Sequence, residues 1–401
     1  LFRSLEARRN GGTLVFSAVG YISKTVRVGS NNQTVNVKLA PDNVLLNEVV
    51  VKPQKEKYSR KNNPAVEFMK KVIEHKKAQV LEVNEYYQYD KYEKMKMSIN
   101  DLTPEKLEKG IYKKYSFLKD QVEVSETTNK LILPISVQET ASQTIYRKNP
   151  ESKKTLIKGK NSNGIDEFFS TGDMLGTVLK DVFADINIYD DDIRLLQQRF
   201  VSPIGNNAIS FYKYYLMDTL TIAGQPCVDL TFVPFNSESF GFTGHLYVTL
   251  DSTYFVRRAI MNFPQKINLN FVDYMSLEQN FTREADGTRQ LVDEHITTEF
   301  KLVDNSDGIY AKRDVYYRNY VYEPSADALS AFKKPEKVIE PAEATHRTEA
   351  YWDDNRQVEV SKKETSVDKM MAQLRTYPVY YWTEKTLKVL FTGYIPAPKE
   401  K

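Results

Sequence analysis

Apolar and polar residues alternate with a period of two along most of this chain and switch to helical spacing in only a few places. Residues 12–28, GTLVFSAVGYISKTVRV, place Leu14, Phe16 and Ala18 on one face, pass Gly20 and Tyr21, and resume at Val26 and Val28. Val35, Val37 and Leu39 continue the rhythm after GSNNQ, whose Gly and Asn accept a positive φ. Three strands are predicted before Ala40 and Pro41. Three strands leave one sheet face bare and make too small a core to stand alone, so further strands are expected upstream.

Helical spacing begins at Asn63, a natural N-cap, with Pro64 at the first helical position. Ala65, Phe68, Met69, Val72 and Ile73 form one apolar stripe, and Lys76 and Lys77 suit the negative end of the helix dipole. Residues 86–99, YYQYDKYEKMKMSI, read as a strand with Tyr on both faces. From about 130 to 325 the chain reads as paired antiparallel strands in an up-and-down meander, with a break at Pro134. Turns are predicted at Ala223 and Gly224, at Asp251 to Thr253, and at Ala285 to Gly287. One inserted helix is predicted over 173–183, with Ser170 and Asp173 as a capping-box pattern and Leu175, Val178, Leu179, Val182 and Phe183 as its stripe. Residues 323–356, rich in Pro, Ala and charge, read as an exposed connector. Ser366 is predicted to cap a short helix ending near Tyr377 and Pro378, and a second helix is predicted over 382–391.

Composition supports a sheet. There are 26 Tyr and 20 Phe against 2 Trp, and Tyr favours half-buried strands, its ring on the sheet and its hydroxyl in water. A net charge of +3 over 401 residues demands no large basic surface, so nucleic acid is not an expected partner. The one cysteine, Cys227, forms no intrachain disulfide and reads as a small buried hydrophobe. No apolar run approaches the roughly 18 residues a membrane helix needs, and no signal peptide opens the sequence. Either the protein is cytosolic or its targeting segment lies outside this sequence.

Residues 11–21 (GGTLVFSAVGY), 35–42 (VNVKLAPD) and 45–51 (LLNEVVV) resemble the closing half of a carboxypeptidase-regulatory-like domain. Gly20, Tyr21, Leu46, Glu48, Val49, Val50 and Val51 stand at that family's Gly-Tyr and L-x-E-V-V-V positions. The resemblance implies a small transthyretin-like β-sandwich with a carbohydrate-binding-like fold and no catalytic residues. Such modules are common in outer-membrane proteins of Bacteroidota, TonB-dependent transporters among them. The module's opening half is expected upstream of residue 1. From Glu48 onward the chain resembles a domain of unknown function (DUF5686-like) that follows this module, on SRKNNPAVEFMKKVI, FTGHLYVTLDSTYFVRRA and KINLNFVDYMSLEQ. That resemblance implies a membrane β-barrel downstream. The middle also resembles lipoprotein carriers in topology, a highly curved antiparallel sheet half closed around helices. The expected fold is therefore mainly β (α+β). A partial β-sandwich over 1–50 is followed by a linker and helix over 51–80. A curved antiparallel half barrel with an inserted helix spans 81–325, a connector 326–362, and a C-terminal helical segment 363–401.

Catalytic chemistry leaves few traces. Of the four histidines, His346 and Glu349 match an H-x-x-E zinc pattern, but no His follows to supply a third ligand. His75 and His245 read as helix and sheet residues, and His295 lies on a strand. Asp190, Asp191 and Asp192 lack the spaced ligands of a Ca²⁺ loop and read as a solvated turn. No nucleophile elbow, H-E-x-x-H, P-loop or G-x-G-x-x-G occurs. No catalytic residue, metal site or cofactor is expected. Thr219 (in Asp218-Thr219-Leu220) and Ser252 (in Asp251-Ser252-Thr253) fit, by resemblance, a periplasmic O-glycosylation pattern. Tyr380, Tyr381, Trp382 and Lys385 make the amphipathic mix found at lipid headgroups, and read either as a membrane-interface segment or as a terminal helix packed on the sheet.

Three functions follow. The first is a non-enzymatic scaffold on the periplasmic face of the outer membrane, anchored by a downstream barrel and docking partner proteins or lipid-like ligands. The second is a periplasmic carrier or chaperone holding an acyl chain or unfolded client in the concave face. The third is a carbohydrate-binding module or hydrolase, which would need paired carboxylates about 5–10 Å apart. The scaffold predicts a filled concave face; the carrier predicts an open apolar cavity of a few hundred Å³.

Overall fold

The computed structural model describes residues 58–164, 181–264, 272–301 and 307–377, together with 12–16, 24–28 and positions 37, 267 and 269. The expected third N-terminal strand apart from Val37, the Gly20 and Tyr21 junction, the 45–51 segment, residues 173–180 of the inserted helix and the 382–391 helix lie outside these residues. So do Tyr380, Tyr381, Trp382 and Lys385.

Near the N-terminus, β1 (Gly12–Phe16) and β2 (Lys24–Val28) form an antiparallel pair with Leu14 opposite Val26. The predicted helix forms over Pro64–His75, where the Asn63 side chain accepts the Ala65 amide at 3.0 Å. It buries Ala65, Val66, Met69 and Val72. Lys76 is the C-cap of this helix, the end that its charge suits. It is buried in a following 3-10 turn, where its Nζ donates to the Tyr189 carbonyl and to Asp191 at 3.0 Å.

The main body is one large, curved antiparallel sheet. Its long strands are β3 (Tyr86–Leu102), β5 (Leu131–Arg147), β6 (Ser152–Gly164), β9 (Tyr212–Ile222), β10 (Gln225–Pro234), β11 (Thr243–Thr249), β12 (Val256–Asn262), β13 (Val272–Arg283), β14 (Arg289–Phe300) and β15 (Ile309–Val321). β4 (Glu123–Val124) pairs with β5, while β7 (Asp192–Leu195) and β8 (Gln198–Val201) form a separate hairpin. β16 (Val338–Ile339) adds in parallel to β6, giving the order β16-β6-β5-β3-β15-β14-β13-β12-β11-β10-β9.

The single meander expected over 130–325 is in fact two. β3-β5-β6 and β9 to β15 each run up and down, and they join through β3 and β15. Register shifts interrupt many pairings, including those near Ser98, Ala141, Tyr247 and Asn280. Each such bulge bends its strand and raises the local twist, which curls a wide sheet. Pro134 accordingly marks a bulge, with no break in β5: it faces Ser98 where the register slips. A residue without an N–H is tolerated there.

Cross-strand register defines the inner face. Tyr214, Phe232, Gly244, Met261, Leu277 and Ile296 follow one another from β9 to β14, then Arg313 and Met95. Gly244 is required here, because a Cβ would collide with the Ile260 carbonyl of the neighbouring strand. On this face lie the Pro64–His75 helix and the segment following Asp181, whose Ile186, Ile188, Ile193, Phe200 and Ile204 belong to the same core. Of the predicted inserted helix, Asp181 and Val182 are helical as described.

The expected connector, 326–362, is mostly exposed, but a few buried side chains anchor it to the sheet. It carries helices Ala326–Ala331 and Glu349–Asn355, and buries Ala328, Phe332 and Trp352 on the outer face of β3, β5 and β6. The capping prediction also shifts. Ser361 and Glu364 form a capping box on Lys362–Thr365, and Ser366 enters Val367–Arg375 already helical, so its hydroxyl has no orphan amide to cap.

Candidate binding surfaces

Three regions carry unusual chemistry: a polar wall inside the core, a charged row on the outer face, and the two edges of the sheet.

The polar wall interrupts the apolar inner face. Gln279, Glu294, Val315 and Glu93 are successive cross-strand neighbours on β13, β14, β15 and β3, with Arg313 one row away. Arg313 donates to Glu294 at 3.1 Å and to Glu93 at 2.9 Å; Lys91 approaches Glu93 at 3.0 Å. Glu294 is 1% exposed. Burial raises its pKa despite the opposing pull of Arg313 and the Gln279 hydrogen bond. Burial would raise Glu93 as well, but there Arg313 and Lys91 win and hold the carboxyl well below its usual range. The wall grips the inserted segment: Gln279 donates to the Ile186 carbonyl at 2.9 Å, and Arg313 and Lys91 reach Asp185 at 3.4 and 3.7 Å. Arg289 continues the grip, meeting Asn187 at 3.3 Å and lying 3.7 Å over the Tyr189 ring. Arg313 Nε and Gln279 Oε1 remain buried without a hydrogen-bond partner among the described residues.

On the outer face, Glu278, His295, Asp314, Lys94 and Glu139 follow one another across five strands. His295 meets Asp314 at 2.7 Å and Asp293 at 3.3 Å. Burial opposes its charge, but the two carboxylates prevail and raise its pKa to about 10. The ring is thus a standing cation between two anions, unsuited to proton transfer near neutrality. Lys94 pairs with Glu364 at 2.8 Å, and Glu139 accepts Arg356 at 2.7 and 2.8 Å, which ties the 326–365 strap to the sheet.

The edges differ. Along β6 the strap and the Val367–Arg375 helix after it supply partners: the Thr155 amide donates to Lys337 O at 2.9 Å, Arg347 donates to Lys158 O at 2.6 Å, and the Gly164 amide donates to Asp368 at 2.5 Å. Along β9, residues 216–221 are exposed, with Leu216 at 41%, Met217 at 61% and Leu220 at 36%.

Thr219 lies on this open edge, and Ser252 is exposed in the turn between β11 and β12. His346 contacts Thr345 and the Ala342 carbonyl, while Glu349 is paired with Arg356 at 3.0 Å, so the H-x-x-E spacing gathers no ligand set. Asp191 is held by Lys76 and Asn206, and Asp192 by Arg199. Among the described residues no cluster of His, Cys, Asp and Glu is placed to hold a metal, and no helix is long and apolar enough to cross a membrane. His245 sits between Asp229 at 2.8 Å and Thr231 at 3.3 Å, a paired sheet residue. Cys227 is buried, and burial pushes its thiol up. Sequence reasoning missed the polar wall; its one signal was a polar residue on the apolar phase of four different strands.

These features define a mainly β protein whose curved sheet is wrapped around its own inserted segment. The chain belongs to a family of unknown function, DUF5686, whose model matches residues 68–318. No curated protein matches the sequence. Among solved structures it is similar to a DUF1329 family protein from Desulfovibrio piger, at 12% identity over 66% of this chain and 96% of that one, TM-score 0.27. A putative outer membrane lipoprotein-sorting protein domain from Vibrio parahaemolyticus matches at 8% identity over 67% and 98%, TM-score 0.25. A LolA superfamily protein from Nitrosomonas europaea matches at 11% identity over 66% and 96%, TM-score 0.25. At scores this low the likeness carries nothing about function.

Proposed function

We propose that this chain is a non-enzymatic binding and assembly scaffold, the periplasmic region of an outer-membrane protein, which engages partner proteins or lipid-like ligands at its surface. The observation that carries the reading is the occupied inner face. Where a carrier would need an open apolar cavity, Ile186, Ile188, Ile193, Phe200 and Ile204 pack against Met69, Phe232 and Leu277 in one core. In this reading Thr219 and Ser252 are candidate O-glycosylation positions, and Tyr380, Tyr381, Trp382 and Lys385 a candidate membrane-interface segment.

One observation favours the carrier as a second reading. The segment from Asp185 to Tyr189 is held partly by charge, through Arg313, Lys91 and Arg289, and two polar atoms of that wall lack partners. Titration of the chain with an environment-sensitive fluorescent fatty acid separates the two. The scaffold is expected to show no uptake into the inner face: exchange at Ile186 and Ile188 stays slow whether or not the probe binds the surface. Stoichiometric uptake, with hydrogen exchange accelerated at Ile186 and Ile188, would replace it with the carrier.

A further inference from the structure

We propose that the β9 edge is a strand-addition site, which accepts an extended segment of a partner protein carrying alternating apolar side chains and an acidic residue near one end. The inference rests on the scaffold reading and says where that scaffold binds.

In an antiparallel pair, alternate residues of the edge strand turn their amides and carbonyls outward, and such a row is a template for a further strand. Natural edges are blunted by lysines, prolines, short length or a covering element. β9 has eleven residues, and its exposed stretch, Leu216 to Thr221, reads LMDTLT, with one charge and no proline; a register shift at Met217 and Asp218 bends it, so Leu216 lies on one side of the bulge and Thr219 to Thr221 on the other. Its apolar side chains occupy both faces: Leu216 shares the inner face with Leu230, and Leu220 shares the other with Cys227. An incoming alternating strand therefore finds apolar neighbours above and below the sheet.

The chain already uses this edge in part. The Tyr214 amide donates to the Tyr58 hydroxyl at 3.0 Å, and the Thr219 amide to its neighbour Asp218 at 2.7 Å. The Asp218 carboxylate is exposed, so a backbone carbonyl can take the Thr219 amide from it without opening the core, while Tyr58 is half-buried and stays in place. The Tyr58 contact also fixes where the added strand stops, because its ring packs on Tyr215 and Phe235 beyond the exposed stretch.

Charge defines the occupant. Arg60 lies 4.2 Å and Lys213 5.3 Å over the Phe235 ring, so two cations flank that end of the edge. A partner strand that ends there gains from an acidic terminal residue, and a position facing Asp218 gains from a basic one.

The probe is a synthetic peptide of alternating valine and threonine with glutamate at one end and a central lysine. The control is the same peptide with alternate amides N-methylated. Hydrogen exchange of the whole chain is followed with each. The proposal expects the first peptide to slow exchange across Leu216 to Thr221 by about tenfold or more, with no change over β13 and β14. It expects the methylated peptide to do nothing, and Met217→Asp combined with Leu220→Asp to abolish the protection. Equal exchange with both peptides, or protection that needs no peptide and rises with protein concentration, overturns it; the latter would assign the edge to a second copy. Failure here leaves the scaffold reading standing, since that is judged by fatty-acid uptake at the inner face.

Discussion

The two edges of the sheet solve one problem in opposite ways. At β6 a strap of about forty residues folds back over the outer face and, with the Val367–Arg375 helix after it, supplies partners for outward backbone groups, through Lys337, Arg347 and Asp368. At β9 no such element lies over Leu216 to Thr221 among the described residues, and the covering is reduced to the Tyr58 hydroxyl and the Asp218 carboxylate. Both strands have an antiparallel partner on their inner side, each pairing with one register shift. The difference lies in what the rest of the chain brings, and it teaches that an edge is a property of topology more than of the strand's own residues.

The largest effect is expected at the polar wall, between the edges. Arg313→Met removes the cation that Glu294 and Glu93 share and leaves the Glu294 carboxylate buried without one, at a cost of about 3–5 kcal/mol. Denaturant titration should show one cooperative loss that weakens both edges together. Trp352→Ala breaks the comparison on one side. Trp352 is 2% exposed against Tyr92 and Ala141, and truncation should cost about 3–5 kcal/mol at most. Exchange should rise at Thr155 and Gly164 and stay unchanged in β9. Gly159→Val acts at the same place more gently: the Tyr351 ring lies where a Cβ would project, so overpacking of about 1–3 kcal/mol should loosen the strap.

His295 tests the outer row by pH. Its folded pKa, about 10, stands above the ordinary value of 6.5. The stabilisation is therefore complete below pH 6.5 and is lost as pH rises through about 10. Asp314 shifts the other way, since Lys312 and His295 overcome its burial, and its contribution fades only in strong acid. In thermal melts His295→Gln should erase the alkaline part of the decline while the acid limb stays. Smallest of all is Leu220→Lys. A charge on an exposed edge position should move stability by no more than about 0.5 kcal/mol, measurable by chemical denaturation, because the side chain is already exposed to solvent.

Much of the frame was legible from local signals. Asn63 and Pro64 announced their helix, and the alternation of 86–99 announced β3, because each signal acts within a few residues. Pro134 misled because a missing N–H looks the same at a break and at a bulge; only the register against Ser98 distinguishes them. The strap was hidden by its composition. Its anchor joins Arg356 to Glu139, 217 residues apart, and nothing in a proline- and alanine-rich stretch marks such a partner. The polar wall was scattered over β3, β13, β14 and β15 and became one site through strand order. The β9 edge was illegible for the same reason, since LMDTLT reads like any half-buried strand until its place at the end of the sheet is known.

The most direct measurement is residue-resolved hydrogen exchange on the isolated chain at neutral pH, comparing the two edges in one experiment. Open outward groups on β9 and covered ones on β6 would make Leu216 and Thr221 exchange on the order of a hundredfold faster than Thr155 and Gly164. Equal protection at the two edges, in a monomer, would contradict the claim that the β9 edge, uncovered among the described residues, is free for a partner.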